Sequence, residues 1–252
     1  MIVDIHNHIL PGIDDGPKSM EEALLLVKNA EANGVTHIIA TPHLNDKYYT
    51  NALVIKEAVD ELRRAISLNQ LTIEVLLGQE IHFYNAMNVD KTNEFVTLGD
   101  NGNYLLLELP NDHLPHYTFE LLFRLLQKGY LPIIPHPERN VVLRKKKQKV
   151  YELVEKGALI QVTASSVIGI DGYAAKRFTN DLIKHNLVHF IASDAHHHEA
   201  YPFLLVQAYQ EVRKKFSDRQ LSYFMKNAKH VINGTALHAL PPIPFKKWKK
   251  SY

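Results

Sequence analysis

Along the chain one grammar recurs: a short apolar run, a polar loop, an amphipathic stretch, then a glycine and another apolar run. Apolar runs near 2–5, 35–40, 73–78, 104–109, 130–134, 158–162 and 187–192 predict seven strands. Between the first two, Ser19 stands three residues before Glu22, the spacing of a capping box, and Ala23, Leu24, Val27, Ala30 and Ala32 supply a buried helical face before Gly34. Further helices are expected near 52–67, 117–128, 143–156, 173–185, 203–215 and 217–230. Two helix-to-strand joints read Lys128-Gly129 and Lys156-Gly157. There a terminal cation suits the helix dipole and glycine accepts a left-handed exit. Strands spaced by helices imply an α/β fold with a mostly parallel sheet, and at this length a closed barrel is preferred to an open sheet. Residues 1–240 read as one domain. Pro241, Pro242 and Pro244 then end regular structure, and Lys246, Lys247, Trp248, Lys249 and Lys250 form a basic tail within 241–252.

Composition narrows the chemistry. The 252 residues contain no cysteine, so disulfides, thiolate metal sites and a catalytic thiol are all excluded. Lysine plus arginine number 29 against 27 acids, and a net charge of +2 gives no reason to expect a nucleic-acid partner. The start of the chain lacks a basic segment followed by an apolar stretch, and no window is apolar enough to span a bilayer, so a cytoplasmic location is expected. Histidine is enriched, at 15 residues. Neutral imidazole is a frequent metal ligand, so where the histidines fall matters.

They fall at the carboxyl ends of the expected strands, the edge where barrel enzymes collect their reactive groups. The first strand ends in His6-Asn7-His8, the second runs into Thr41-Pro42-His43, the third into Gly78-Gln79-Glu80 and the fourth into Glu108. The fifth ends in His136-Pro137-Glu138-Arg139 and the seventh in Ser193-Asp194-Ala195-His196, whereas the sixth ends in Thr163, Ala164, Ser165 and Ser166, weak ligands all. Strand alternation puts His6 and His8 on one side, and Asp194 and His196 repeat that spacing. Strongly hydrated groups at six strand ends would be costly to bury without cations, and oxygen and nitrogen donors without sulfur suit manganese, iron or zinc. Asp14 and Asp15, in the loop after the first strand, can add a carboxylate. So many candidate ligands suit two or three clustered ions better than one. Such clusters activate water and polarise phosphate esters. Arg139 can reach phosphoryl oxygens with its planar fork of donors, or pair with neighbouring Glu138.

Taken in order, Asp4-Ile5-His6-Asn7-His8, Asp14-Asp15-Gly16, Ala40-Thr41-Pro42-His43, Gly78-Gln79-Glu80, Glu108, His136-Pro137-Glu138-Arg139 and Ser193-Asp194-Ala195-His196 resemble the polymerase-and-histidinol-phosphatase (PHP) family. The separations are most similar to its bacterial protein-tyrosine phosphatases of capsule and exopolysaccharide operons, over about residues 2–235. The resemblance implies a distorted (β/α)7 TIM-like barrel holding three metal ions, usually manganese, that dephosphorylates a bacterial tyrosine kinase controlling polysaccharide export. It implies His6, His8, Asp15, His43, Glu80, Glu108, His136, Asp194 and His196 as ligands and Arg139 as the phosphate-binding arginine. Tyr201 departs from the pattern, standing where these phosphatases often carry a second arginine, and His197 and His198 read as a histidine-rich surface loop in preference to partial substitutes. Without a thiol, the mechanism expected is in-line attack by metal-bound hydroxide, with no phosphocysteine.

Two other functions share these motifs: hydrolysis of a small phosphomonoester such as histidinol phosphate, and a regulator that binds a phosphorylated kinase tail with little turnover. A nuclease is disfavoured because no long basic stripe with aromatics borders the motifs. Arg144, Lys145, Lys146, Lys147 and Lys149 read either as a solvated helix face or as a lure for an acidic peptide. The tail around Trp248 has the composition for weak contact with an anionic membrane at its inner face. Tyr48, Tyr49, His113, His116 and Tyr117 lie in loops that can border the entrance, and His37, His82, His185, His189, His230 and His238 follow no ligand pattern.

Overall fold

The structure, a computed structural model, describes residues 1–87, 95–197 and 203–245. Its strands are β1 (Val3–Asp4), β2 (His37–Ala40), β3 (His43–Leu44), β4 (Glu74–Leu77), β5 (Glu80–His82), β6 (Tyr104–Glu108), β7 (Leu131–Pro135), β8 (Leu159–Thr163) and β9 (Phe190–Ala192). Every ladder between them is parallel. Helices α1 (Met20–Ala32), α2 (Ala52–Leu68), α3 (Thr118–Gln127), α4 (Val141–Lys145), α5 (Gln148–Glu155), α6 (Ala164–Ile168), α7 (Tyr173–Lys184), α8 (Leu205–Lys215) and α9 (Asp218–Ile232) connect and cover them.

Seven strands were expected, and two of them continue past a break. Pro42 has no N–H to give a ladder, and it separates β2 from β3. Gly78 separates β4 from β5 where side chains pack so closely over the backbone that a Cβ would lie 2.6 Å from Ile39 Cγ2 and 3.0 Å from Leu98 Cδ2. Past the breaks the two strands remain paired with each other, β3 with β5, while β1 is left behind and β5 gains β6. The result is a three-stranded sheet, β1-β2-β4, and a six-stranded sheet, β3-β5-β6-β7-β8-β9. The two meet at the carboxyl edge, where Asn7 and Ala195 form a parallel bridge, His8 N donates to Ala195 O (2.8 Å) and Asp194 N donates to His6 O (2.8 Å). At the amino end α9 contacts β1 and β9 and seats Ala228 and Val231 among Val3, Ile5, Tyr104, Leu106, Ile133 and Phe190. The shell is therefore a distorted barrel, closed by strands at its mouth and plugged by a helix at its floor.

Local signals act as the sequence implies. Ser19 Oγ accepts from Glu22 N, while the Glu22 carboxylate reaches back one residue further, to Lys18 N (2.7 Å). Gly129 and Gly157 leave their helices at φ 86° and 92°. The helix expected over 143–156 is two helices instead. The side chain of Asn140 caps α4, and Lys146, at φ −130° and ψ 63°, falls outside helical space before α5 begins. Helix α6, unforeseen because 164–166 read as the end of a strand, is capped by Thr163 and stopped by Gly169 at φ 99°. The described part of the C-terminal segment lies against the barrel: Asn186 donates to Pro241 O (3.0 Å), Ile243 N to His185 O (2.8 Å), and the Phe245 ring centroid sits 4.1 Å from that of His185. His198, Tyr201 and the basic tail from Lys246 on lie outside the described residues.

Candidate metal centre

The mouth of the barrel is built from strand ends. His6 and His8 follow β1, His43 opens β3, Glu80 opens β5, Glu108 ends β6, and His136 follows β7. Asp194 and His196 follow β9, and Asp15 comes from the loop after β1. Their donor atoms gather in four overlapping groups, within each of which all lie within 4.8 Å of one another: His8, Asp15, His43 and His196; His6, His8 and Asp194; His6, Glu80 and His136; His43, Glu80 and Glu108. Glu80 is the hub. Its carboxylate lies 3.3 Å from His6 Nε2, 3.2 Å from His8 Nε2, 3.1 Å from His43 Nδ1 and 3.0 Å from His136 Nε2. Asp194 Oδ1 serves a second junction, 3.2 Å from His6 Nε2 and 3.5 Å from His8 Nε2. His136 and Asp194 both take positive φ, 34° and 54°, the backbone strain that persists where surrounding structure over-determines a side chain's aim.

Outside this cage a further layer fixes each ring. Gln161, projecting from β8 into the barrel, bonds His6 Nδ1 (2.8 Å), which leaves Nε2 facing the cage. Asp14 does the same for His8 Nδ1 (2.7 Å) and also accepts from His43 N (3.1 Å) and Gly16 N (3.0 Å). Gly16 is required there because a Cβ would fall 2.2 Å from His8 O. Asp4 accepts from Ser193 N (2.9 Å) and from its hydroxyl, tying β1 to the segment that carries Asp194. From sequence Asp14 is a candidate ligand, Asp4 stands in the family motif without a role, and Gln161 belongs to no motif. The signal for Asp4 and Gln161 is a polar residue at an inward position of an apolar strand, as in Leu-Ile-Gln-Val-Thr at 159–163.

Electrostatics expose the strain of so much polarity in one place. Burial pulls the His6 imidazole down, yet Glu80 and Asp194 outweigh it and lift it to about 9. Glu108 rises to about 7 through burial and the neighbouring Glu80 charge. His136 moves the other way, lowered by burial and by Arg139. Asp15 Oδ1, His43 Nδ1 and Glu80 Oε2 are buried without a hydrogen bond of proper geometry. Lone pairs of carboxylates and imidazoles facing one another at about 3 Å call for a cation between them. The donor set, five histidines and four carboxylates, thus fits metal ions.

Arg139 stands at the rim. Its guanidinium pairs with Asp194 Oδ2, and that carboxylate holds the arginine fully charged. The pairing with Glu138 weighed from sequence is replaced by another: Glu138 turns inward and accepts from Thr163 N (2.7 Å) and Thr163 Oγ1 (2.9 Å). A pocket of about 320 Å³ opens above the cage, lined by Asp15, Arg139, Asp171, His196 and His197. Asp171, missed in the sequence, is held there by the hydroxyls of Ser165 (2.7 Å) and Ser166 (2.6 Å), in the first turn of α6.

Fold and site together define a class: a parallel α/β barrel whose carboxyl edge presents a multi-ligand cage beneath an arginine. The profile of the family described as "Capsular polysaccharide synthesis, CpsB/CapC" matches residues 2–233, and the chain belongs to that family. It is 38% identical over 250 residues to the putative tyrosine-protein phosphatase CapC of Staphylococcus aureus, covering 99% of this chain and 98% of that one. Against the tyrosine-protein phosphatase YwqE of Bacillus subtilis (strain 168) it is 36% identical over 249 residues, with 98% of each covered. A solved structure described with YwqE from Bacillus subtilis and CpsB from Streptococcus pneumoniae as unique metal-dependent tyrosine phosphatases superposes with a TM-score of 0.94 at 36% identity, covering 98% of this chain and 100% of that one. A β-aspartyl dipeptidase at TM-score 0.55 and 12% identity, 91% of this chain and 72% of that one covered, shares the fold alone.

Proposed function

We propose that this chain is a metal-dependent protein-tyrosine phosphatase with its catalytic unit in residues 1–240. Its substrate would be a tyrosine-phosphorylated bacterial kinase of capsular or exopolysaccharide synthesis. The observation that carries the reading is the convergence of nine side chains from seven segments on one cage with Glu80 at its hub. The full-length likeness to proteins named tyrosine-protein phosphatases supports the substrate class. His6, His8, Asp15, His43, Glu80, Glu108, His136, Asp194 and His196 would hold the ions, and a donor set without sulfur suits manganese. When bound, the ions would supply Lewis acidity and an activated water.

The remaining steps belong to the chain's own residues. Arg139, charged and 37% exposed beside Asp194, faces the space where phosphoryl oxygens would arrive and offers them paired donors. The reaction adds water across the P–O bond, releasing inorganic phosphate and tyrosine. A phenol with a pKa near ~10 leaves without strong acid assistance. With no cysteine in the chain, no phosphocysteine forms. No described helix is long and apolar enough to cross a membrane. Peripheral contact at the inner face of the membrane is supported by the sequence of the tail, four lysines around Trp248.

The test pairs a chromogenic aryl phosphate and a phosphotyrosine peptide with histidinol phosphate, each with manganese supplied and after chelation. The two aryl substrates should be cleaved in preference. Glu80→Gln should lower kcat/KM on the order of 10³-fold, as expected when several kcal/mol of metal-borne stabilisation is lost. Unchanged activity of that variant in metal-replete protein would place the chemistry elsewhere.

A further inference from the structure

Helix α4 leaves the mouth directly after Arg139, and its first turn is locked to the neighbouring loop. Asn140 Oδ1 accepts from Leu143 N (2.8 Å), its amide donates to Pro110 O (2.6 Å) and His113 O (2.8 Å), and Val141 N donates to Asn111 O (2.8 Å). The loop after β6 and the start of α4 are thus one fixed corner of the rim. Beyond it Arg144, Lys145 and Lys146 are exposed. No acid among the described residues lies within ion-pair range of any of the three, although Lys147 and Lys149 just beyond are paired with Asp181 and Glu152. The corner's own acid, Asp112, is engaged by His113 Nδ1 (2.6 Å), whose Nε2 meets the Tyr84 hydroxyl (2.7 Å). Three adjacent cations without an ion-pair partner among the described residues, a few positions along the chain from the pocket's Arg139, attract anions that continue past a phosphoryl group held there.

We propose that this basic corner reads acidic residues flanking the phosphotyrosine, so that the preferred substrate is an acidic phosphopeptide. The proposal rests on the phosphatase reading above and specifies its substrate. Arg144 and Lys145 stand five and six positions beyond Arg139, on the order of 8–9 Å at the rise of a helix, and Lys146 follows them just past the end of α4. An extended peptide covers ~3.3–3.6 Å per residue, so acids about two to four positions from the phosphotyrosine come level with the three cations.

The decisive variant is Arg144→Gln/Lys145→Gln/Lys146→Gln, checked for an unchanged melting curve. It is assayed with manganese on three substrates: a phosphotyrosine peptide with aspartates two to four residues away, the same peptide with serines there, and a small aryl phosphate. On the acidic peptide kcat/KM should fall about tenfold, mainly through KM, as three partly screened charge contacts would give. The serine peptide and the aryl phosphate should change less than about twofold, and added salt should reproduce the loss in the unaltered protein. Equal losses on all three substrates, or none on the acidic peptide, would overturn the proposal. So would loss of binding to vesicles containing anionic lipid with peptide kinetics unchanged, which would make the corner a membrane contact. If the unaltered protein cleaves none of the three, the phosphatase reading itself fails. The aryl phosphate, too small to reach the corner, separates that failure from the corner's own.

Discussion

Two histidines of this barrel are equally shielded from solvent and titrate in opposite directions. His6 at the mouth and His189 near the floor both have 0% exposure. His189 borders a cavity with Leu131, Leu159, Leu237 and Pro241, and burial alone lowers it to about 4. His6, among carboxylates, rises to about 9 against the same desolvation. Burial sets the cost of a charge, and the neighbours decide whether it is met. The floor gathers apolar groups that favour stability and the mouth gathers groups that could hold cations, so each end should fail in its own way.

The floor should be the more sensitive to truncation. Phe190→Ala removes a fully buried ring from the cluster closed by α9 and should cost about 3–5 kcal/mol by urea denaturation. Folded protein should still bind metal with unchanged stoichiometry by elemental analysis. A loss of metal without a loss of stability would erase the distinction between the two ends.

The next effect depends on pH. His189 Nδ1 accepts from Ile160 N (3.0 Å), so the ring is held neutral with its proton on Nε2. Because its folded pKa, about 4, lies below the ordinary 6.5, the unfolded chain binds the extra proton between those values. Stability from this residue is therefore full above about pH 6.5 and falls as the medium is acidified toward 4, by up to about 3 kcal/mol. His189→Asn keeps an acceptor but removes the titration. The gap in urea midpoint between the two proteins should shift in the variant's favour from pH 7.5 to 4.5. A constant gap would mean that His189 is solvated.

The smallest effect sharpens the mouth. Gln161→Leu deletes the partner of His6 Nδ1 without touching the cage and should weaken metal affinity by about 10–100-fold, read by titration calorimetry. The metal-free protein should lose about 1–3 kcal/mol at most, because His6 Nδ1 is left buried without a partner while the unpartnered Gln161 Nε2 is removed. A fall in metal-free stability with unchanged affinity would make Gln161 structural.

Much of the mouth was legible in the sequence because strand ends are marked by abrupt changes from apolar to ligating residues, as at Ile5-His6 and Leu107-Glu108. Periodicity likewise located the helices that cover the barrel. What escaped depends on contacts between distant segments. Gln161 and Asp4 are defined by partners 155 and 189 positions away, and the two broken strands by which neighbours they reach after Pro42 and Gly78. The break between α4 and α5 was equally hidden, since Lys146, at φ −130° and ψ 63°, has no helix-breaking chemistry.

The bridge between Asn7 and Ala195 has a consequence for the order in which the molecule is made. It joins a segment translated almost first to one translated late, so a nascent chain can form α1, α2 and much of the parallel array while the pocket is still half a ring. Two of the four donor groups, His6 with His8 and Asp194, and His8 with Asp15, His43 and His196, are thereby completed only after synthesis has passed Asp194 and His196. A ribosome-tethered chain ending before them would lack the junction between His6 and His8, whatever else it had folded.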